Sequence, residues 1–187
     1  MSKKLVVYNF TTLDGYFCGP NGELDWFALS DDIADYVKEL LNNTDTLLFG
    51  RKTYQQMAAF WPTETAHEQI ITDQMNSLPK FVLSKTLTSV EWNNSRLLKG
   101  NIWEEVSDLK QELPDKDKDI LILGSGNIVS ALTQLGLVDE YHLVFHPVAI
   151  GKGRSMFEIV KKLNLELLSV RPFAGGAVAL HYKTIQR

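Results

Sequence analysis

Cysteine is almost absent from this chain: Cys18 is the only one in 187 residues. A lone thiol closes no internal disulfide, and a chain of this size needs none, because roughly 70% of its unfolded surface can be buried without staples. Long apolar runs are missing too. No stretch approaches the ~20 residues of a membrane helix, and the start, MSKKLVVYNF, lacks a signal-peptide layout, so a cytoplasmic protein is expected. Basic residues are not in excess. Lys and Arg number 19 against 23 Asp and Glu, a net charge of −4, the opposite of a surface built to neutralise nucleic-acid phosphates. Linkers, repeats and low-complexity tracts are lacking as well, so residues 1–187 read as one domain of ordinary composition.

What is present is an alternation of short apolar runs with helical patterns. Runs at Lys4 to Phe10, Thr46 to Phe49, Lys80 to Ser84, Asp119 to Leu123 and Tyr141 to Val148 read as strands. Ile33, Tyr36, Val37, Leu40 and Leu41 recur at helical spacing, with Ser30, Asp31 and Asp32 as caps and first-turn acids. Thr53 to Ala59, Glu68 to Ser77, Ile102 to Leu113 and Ile128 to Leu135 are further helices, the last closed by Gly136. Asp108 to Asp119, broken by Pro114, reads as a solvated loop. Consecutive apolar residues such as Leu121, Ile122 and Leu123 suit a parallel sheet covered on both faces. Leu163 to Val170 and Ala177 to Thr184, separated by a segment with Gly175 and Gly176, predict an appended antiparallel hairpin. The expected class is α/β: a three-layer, mostly parallel mixed sheet between helices.

Chemistry concentrates where strands end. After Phe49 come Gly50, Arg51, Lys52 and Thr53 and then a helix. A glycine for close approach, free helix N–H groups and two cations make a phosphate-binding arrangement, although the same residues also make a plain strand-to-helix turn. Gly124, Ser125, Gly126 and Asn127 precede another helix, but Val129 stands where the dinucleotide fingerprint needs its third small residue, so a standard Rossmann motif is not met. Leu83, Ser84, Lys85 and Thr86 supply hydroxyls and an ammonium after a third strand. In open α/β sheets ligands bind beyond the carboxyl ends of the strands, so a common site for one phosphorylated ligand is expected. Asp14, in Thr12-Leu13-Asp14-Gly15, is either a turn-stabilising carboxylate or a substrate-positioning one at that same edge.

Other candidates are weaker. His142 and His146 lie four strand residues apart, about 13 Å, too far for a shared zinc, while His67 and His181 have no sequence partners, so no metal site is expected. Helix capping accounts for Asp31 and Asp32. Cys18 shows no local sign of thiolate activation. Lys152 and Arg154 lie in a glycine-containing loop, where cations either meet an anionic substrate or are simply solvated.

Taken together, Thr-Leu-Asp-Gly (12–15), Leu-Phe-Gly-Arg-Lys-Thr-Tyr (48–54), Val-Leu-Ser-Lys-Thr (82–86), Leu-Gly-Ser-Gly (123–126), Gly-Leu-Val-Asp-Glu (136–140) and Pro-Val-Ala-Ile-Gly-Lys-Gly (147–153) resemble the dihydrofolate reductase superfamily. The branch resembled is that of the riboflavin-biosynthesis reductase domain and small stand-alone reductases. The resemblance implies NADPH bound across the strand ends. Gly50, Arg51, Lys52 and Thr53 would meet phosphates, with Arg51 and Lys52 near the 2′-phosphate. Leu83, Ser84, Lys85 and Thr86 would hold the same end, and Gly124, Ser125, Gly126, Asn127 and Ile128 would follow the pyrophosphate and nicotinamide ribose. Thr12 and Asp14 would line the junction with the substrate pocket, Asp14 as the catalytic candidate. It further implies a homodimer and hydride transfer to a small pteridine- or pyrimidine-like molecule. A non-catalytic NADPH-binding module and an unrelated α/β enzyme for another phosphorylated ligand are the rival readings.

Overall fold

The computed structural model describes residues 2–65, 68–113 and 117–185. Its strands are β1 (Leu5–Thr12), β2 (Thr44–Gly50), β3 (Lys80–Leu83), β4 (Ser95–Leu98), β5 (Asp119–Ile122), β6 (Glu140–His146), β7 (Leu165–Pro172) and β8 (Val178–Thr184). Its α-helices are α1 (Asp31–Asn42), α2 (Arg51–Phe60), α3 (Gln69–Ser77), α4 (Ile102–Glu112) and α5 (Gly126–Gln134). The strands form one sheet in the order β4-β3-β2-β5-β1-β6-β8-β7. Pairing is parallel from β4 to β6, and β8 and β7 add the expected antiparallel hairpin.

Alternate residues of the central strands feed opposite cores, as the two-residue period of a strand requires. Val6, Leu47, Phe49, Val82 and Leu121 pack on one face against Ile33 and Leu41 of α1, Tyr54 of α2 and Met75 of α3. Leu5, Val7, Leu48, Ile120 and Ile122 pack on the other against Val106 and Leu109 of α4 and Val129 and Leu132 of α5. Both faces are therefore dry, which explains the unbroken apolar runs.

The structure departs from the sequence expectations at several places. Helices α2 and α5 each begin two residues early, at Arg51 and Gly126, so the basic and small residues after the strands lie in first helical turns. β4 was not anticipated: it is a four-residue edge strand with only Leu98 buried, too polar to stand out. The polar stretch from Asp108 is not all loop. α4 continues to Glu112 because Leu109 sits in the core, and residues 114–116 lie outside the described residues, as does His67. Ser30 takes the N-cap position of α1 without a side-chain cap bond; its hydroxyl donates to Asp32 instead.

His181, which has no partner in the local sequence, stands opposite His142 across β6 and β8, with the rings stacked at 3.8 Å. With Glu140 these histidines form a group whose polar atoms lie within 4.8 Å of one another. Those atoms are engaged: Glu140 with Lys4 at 2.7 Å and with His181 at 2.9 Å, and His142 Nδ1 with the Tyr36 hydroxyl at 2.5 Å. Burial and the neighbouring His181 push His142 down to about 4 from 6.5, so it is neutral in the folded protein. The unfolded chain binds that proton at higher pH than the folded one. Stability is therefore full above about pH 6.5 and is lost progressively as pH falls toward 4, at about 1.4 kcal/mol per pH unit. Urea unfolding of wild type and His142→Gln between pH 7 and pH 4 should show this acid loss in the wild type and a shallower one in the variant.

Candidate functional site

The site is assembled at the carboxyl edge of β2, β3 and β5, three strands that are neighbours in the sheet. Helix α2 follows β2 with no intervening residue, and α5 begins four residues after β5. The N-cap residues Gly50 and Ser125 are extended, and neither makes a side-chain cap bond. First-turn N–H groups at both helix starts are thus left for an acceptor from outside the helix, backed by the positive end of each helix dipole.

Two glycines allow these helix starts to sit side by side. The Gly50 N–H lies 3.3 Å from the Gly124 carbonyl, so the end of β2 and the β5–α5 loop touch backbone to backbone. A Cβ on Gly50 would stand 2.6 Å from Ser125 Oγ and 2.7 Å from Ile128 Cγ1. Gly124 has φ +91°, a conformation that L side chains rarely adopt, and the peptide that follows it is cis. On the far side of the loop the Phe17 ring lies against Gly126, where a Cβ would overlap it.

A cavity of about 860 Å³ opens over this seam. Of the expected residues it gathers Arg51, Lys52 and Thr53, then Leu83, Ser84, Lys85 and Thr86, and finally Gly124, Ser125, Asn127 and Ile128. Ser84 organises the β3 end, its Oγ accepting from the N–H groups of Thr86 at 3.2 Å and Leu87 at 3.0 Å. Arg51, Lys52 and Lys85 are exposed, so their charges remain available at the rim.

Four expected residues are not part of that lining. Gly50 and Gly126 lie beneath it as contact points. Thr12 is fully buried, and its hydroxyl donates to Asp14 at 2.6 Å while accepting from the Tyr16 N–H at 3.0 Å. The Asp14 carboxylate accepts from the N–H groups of Gly151 at 2.8 Å and Ile150 at 3.1 Å. The Thr12 hydroxyl first, and these two backbone donors, hold its pKa below the usual carboxylate value. Asp14 thereby ties the turn after β1 to the loop after β6, and the structure does not bring it to the cavity as a catalytic group.

The remaining wall was not legible from motifs. Tyr8, Asn9 and Phe10 come from β1, and Phe27, Val37 and Met57 come from the segments that cover it. Their signal is only that of core residues. Arg154 does line the cavity, and its Nε donates to the Pro20 carbonyl at 3.2 Å. Cys18 lines it as well, with a thiol pKa raised by burial rather than lowered toward a reactive thiolate.

An open α/β sheet with a cleft at its strand ends, flanked by two uncapped helix starts, is an architecture in which ligands bind beyond the carboxyl ends of the strands. The chain matches the RibD C-terminal domain family over residues 3–179 and belongs to it. It is 32% identical to the uncharacterized protein YyaP of Bacillus subtilis, over 96% of this chain and 94% of that protein. It is similar in fold to a candidate riboflavin biosynthesis protein from Shewanella sp. PV-4, with a TM-score of 0.77 and 23% identity over 100% of both chains. A dihydrofolate reductase from Enterococcus faecalis, solved with NADP(H), shares the fold at a TM-score of 0.67 and 14% identity, over 100% of both chains.

The seam predicts a local stability effect. Gly50→Ala should cost about 1–3 kcal/mol by forcing Ser125 and Ile128 aside, lowering the melting temperature by several degrees. Gly175→Ala, where nothing lies within 4 Å of the added carbon, should melt like wild type. Thermal unfolding of the two variants side by side checks this.

Proposed function

We propose that this chain is a single-domain, NADPH-dependent reductase that passes a hydride to an unsaturated bond of a small molecule. The observation that carries the reading is the pair of uncapped helix starts meeting on one cavity, with Arg51, Lys52 and Lys85 at its rim. Family membership and the NADP(H)-bound dihydrofolate reductase of the same fold support it.

The residues fit a phosphorylated dinucleotide. Backbone N–H groups at the starts of α2 and α5 would take pyrophosphate oxygens, which point at such donors in helix-terminus sites generally. Arg51 and Lys52 would meet the 2′-phosphate by charge-assisted hydrogen bonds, with Lys85, Ser84 and Thr86 beside them. Gly124 and Ser125 offer bare backbone against which a flat ring can rest. The cofactor, when bound, supplies the hydride; the protein supplies binding, orientation and exclusion of water.

In this reading Arg51 and Lys52 set the preference for NADPH over NADH. Arg51→Ala/Lys52→Ala should weaken NADPH at least about tenfold, the equivalent of one lost charge-assisted hydrogen bond of roughly 1.5 kcal/mol, and leave NADH affinity nearly unchanged. Fluorescence titration with both nucleotides checks this, and equal affinity of wild type for the two would remove the role given to these residues. Absence of binding to either would favour a different phosphorylated ligand, and binding without turnover of any acceptor would favour the non-catalytic module.

We also propose a homodimer formed through β7. This outer strand leaves Leu167 at 49% and Val170 at 53% exposure, on an edge whose backbone groups can pair with another strand. Sedimentation should give a dimer for wild type and a monomer for Leu167→Lys/Val170→Lys.

A further inference from the structure

Besides Arg51, Lys52 and Lys85, Arg154 lines the cavity, and among the described residues no aspartate or glutamate does. The first three follow β2 and β3. Arg154 follows β6, on the far flank of β5 and β1.

Arg154 is held at three points. Its N–H donates to the Cys18 carbonyl at 3.0 Å, its own carbonyl accepts from the Phe17 N–H at 2.9 Å, and its Nε donates to the Pro20 carbonyl at 3.2 Å. Behind it, Asp14 fixes the N–H groups of Ile150 and Gly151. Gly153 lets the paired segments touch, since a Cβ there would stand 2.4 Å from the Cys18 carbonyl oxygen. The two terminal nitrogens of the guanidinium find no partner among the described residues, and neither is sealed from solvent. A merely solvated cation has no need of such fixing. A fork held at Nε with both Nη groups free is pre-organised for an anion.

The direction of the side chain follows from the pairing. Cys18 and Arg154 are bridge partners, so their side chains leave the paired segments on the same side, and both line the cavity. Phe17, beside Cys18, rests on Gly126 at the start of α5. Lys52, in the first turn of α2, acts on the same thiol: burial raises the Cys18 pKa, and the charges of Arg154 and Lys52 both pull it down. These two cations thus flank one stretch of the cavity, the stretch onto which the α2 and α5 starts open. Glu23, whose charge also reaches that thiol, keeps its carboxylate on the Asn21 N–H at 2.9 Å and Asn21 Nδ2 at 2.6 Å.

Charge balance selects the group that Arg154 meets. NADPH carries roughly four negative charges, about two on its diphosphate and up to about two on its 2′-phosphate. Arg51, Lys52 and Lys85 serve the 2′-phosphate end, which leaves the diphosphate with backbone donors and no guanidinium. Resting on the NADPH reading, we infer that Arg154 binds the cofactor diphosphate as a two-pronged clamp, from the β6 flank and against the starts of α2 and α5. The clamp meets a part that NADPH and NADH share. It therefore sets affinity for the dinucleotide and not the choice between the two.

The test is calorimetric titration of the intact protein with NADPH, NADH and inorganic pyrophosphate, for wild type, Arg154→Gln and Arg154→Lys. Arg154→Gln is expected to weaken NADPH and NADH by the same factor, at least about tenfold, and to weaken pyrophosphate as well. Arg154→Lys keeps a point charge but not the Nε–Pro20 contact, and is expected to lose less than Arg154→Gln. A loss confined to NADPH, no loss with either nucleotide, pyrophosphate affinity indifferent to Arg154→Gln, or equal losses in the two variants would each overturn the assignment. Wild type that binds pyrophosphate in an Arg154-dependent way but neither nucleotide would overturn the cofactor reading alone. Wild type that binds none of the three would overturn both.

Discussion

Backbone contact between Gly50 and Gly124 is the constraint on which the rest of the cleft depends. Neither the end of β2 nor the β5–α5 loop could approach so closely with a side chain between them, because Ser125 and Ile128 occupy the space that a Cβ on Gly50 would need. The contact brings two helix starts to one opening. Each helix leaves N–H groups uncapped, and each has a dipole whose positive end faces the same space. In the proposed reading a phosphorylated ligand would be met mainly by these fixed donors, with Arg51, Lys52 and Lys85 adding charge at the rim. The proposed phosphate end is therefore built chiefly from backbone.

Tension between stability and function recurs in the residues around that seam. Helix N-termini are ordinarily satisfied by a Ser, Thr, Asp or Asn side chain. Gly50 has none, and Ser125 does not use its hydroxyl in that way. The Tyr8 hydroxyl and Asn9 Oδ1 are buried without partners although most buried polar groups find one. Both residues line the cavity, and at the opposite end of the sheet several polar groups are matched. Lys4, Glu140, His181, His142 and Tyr36 form a connected set there, and Lys80 places its ammonium on the carbonyls of Asn76, Leu78 and Asn93.

Asp14 shows how a motif residue can hold two loops together. Its carboxylate binds two consecutive N–H groups of the loop after β6, and its neighbour Thr12 locks the turn from within. The same loop region pairs with the segment carrying Phe17 and Cys18 through Arg154, and Phe17 rests on Gly126. Asp14 thus supports the lip of the cavity from behind.

Much of the architecture was legible in residue order. Consecutive apolar residues at 120–123, glycines after strands and helical spacing in α1 are local signals, set by steric and hydration rules that act over a few residues. They sufficed for an α/β sheet with an appended hairpin, and for the basic and hydroxyl residues at the ends of β2 and β3. They did not reveal β4, whose short polar pattern has no local signature, nor the true starts of α2 and α5. Which strands lie side by side was decided only by the tertiary structure, because the order β2-β5-β1-β6 joins segments far apart in the chain. That order put His181 against His142, turned Asp14 to the loop after β6, and brought Tyr8, in sequence an ordinary strand residue, to the cavity wall. A residue's type and local spacing state what chemistry it can do; the partners that permit or withhold that chemistry are set by packing between strands.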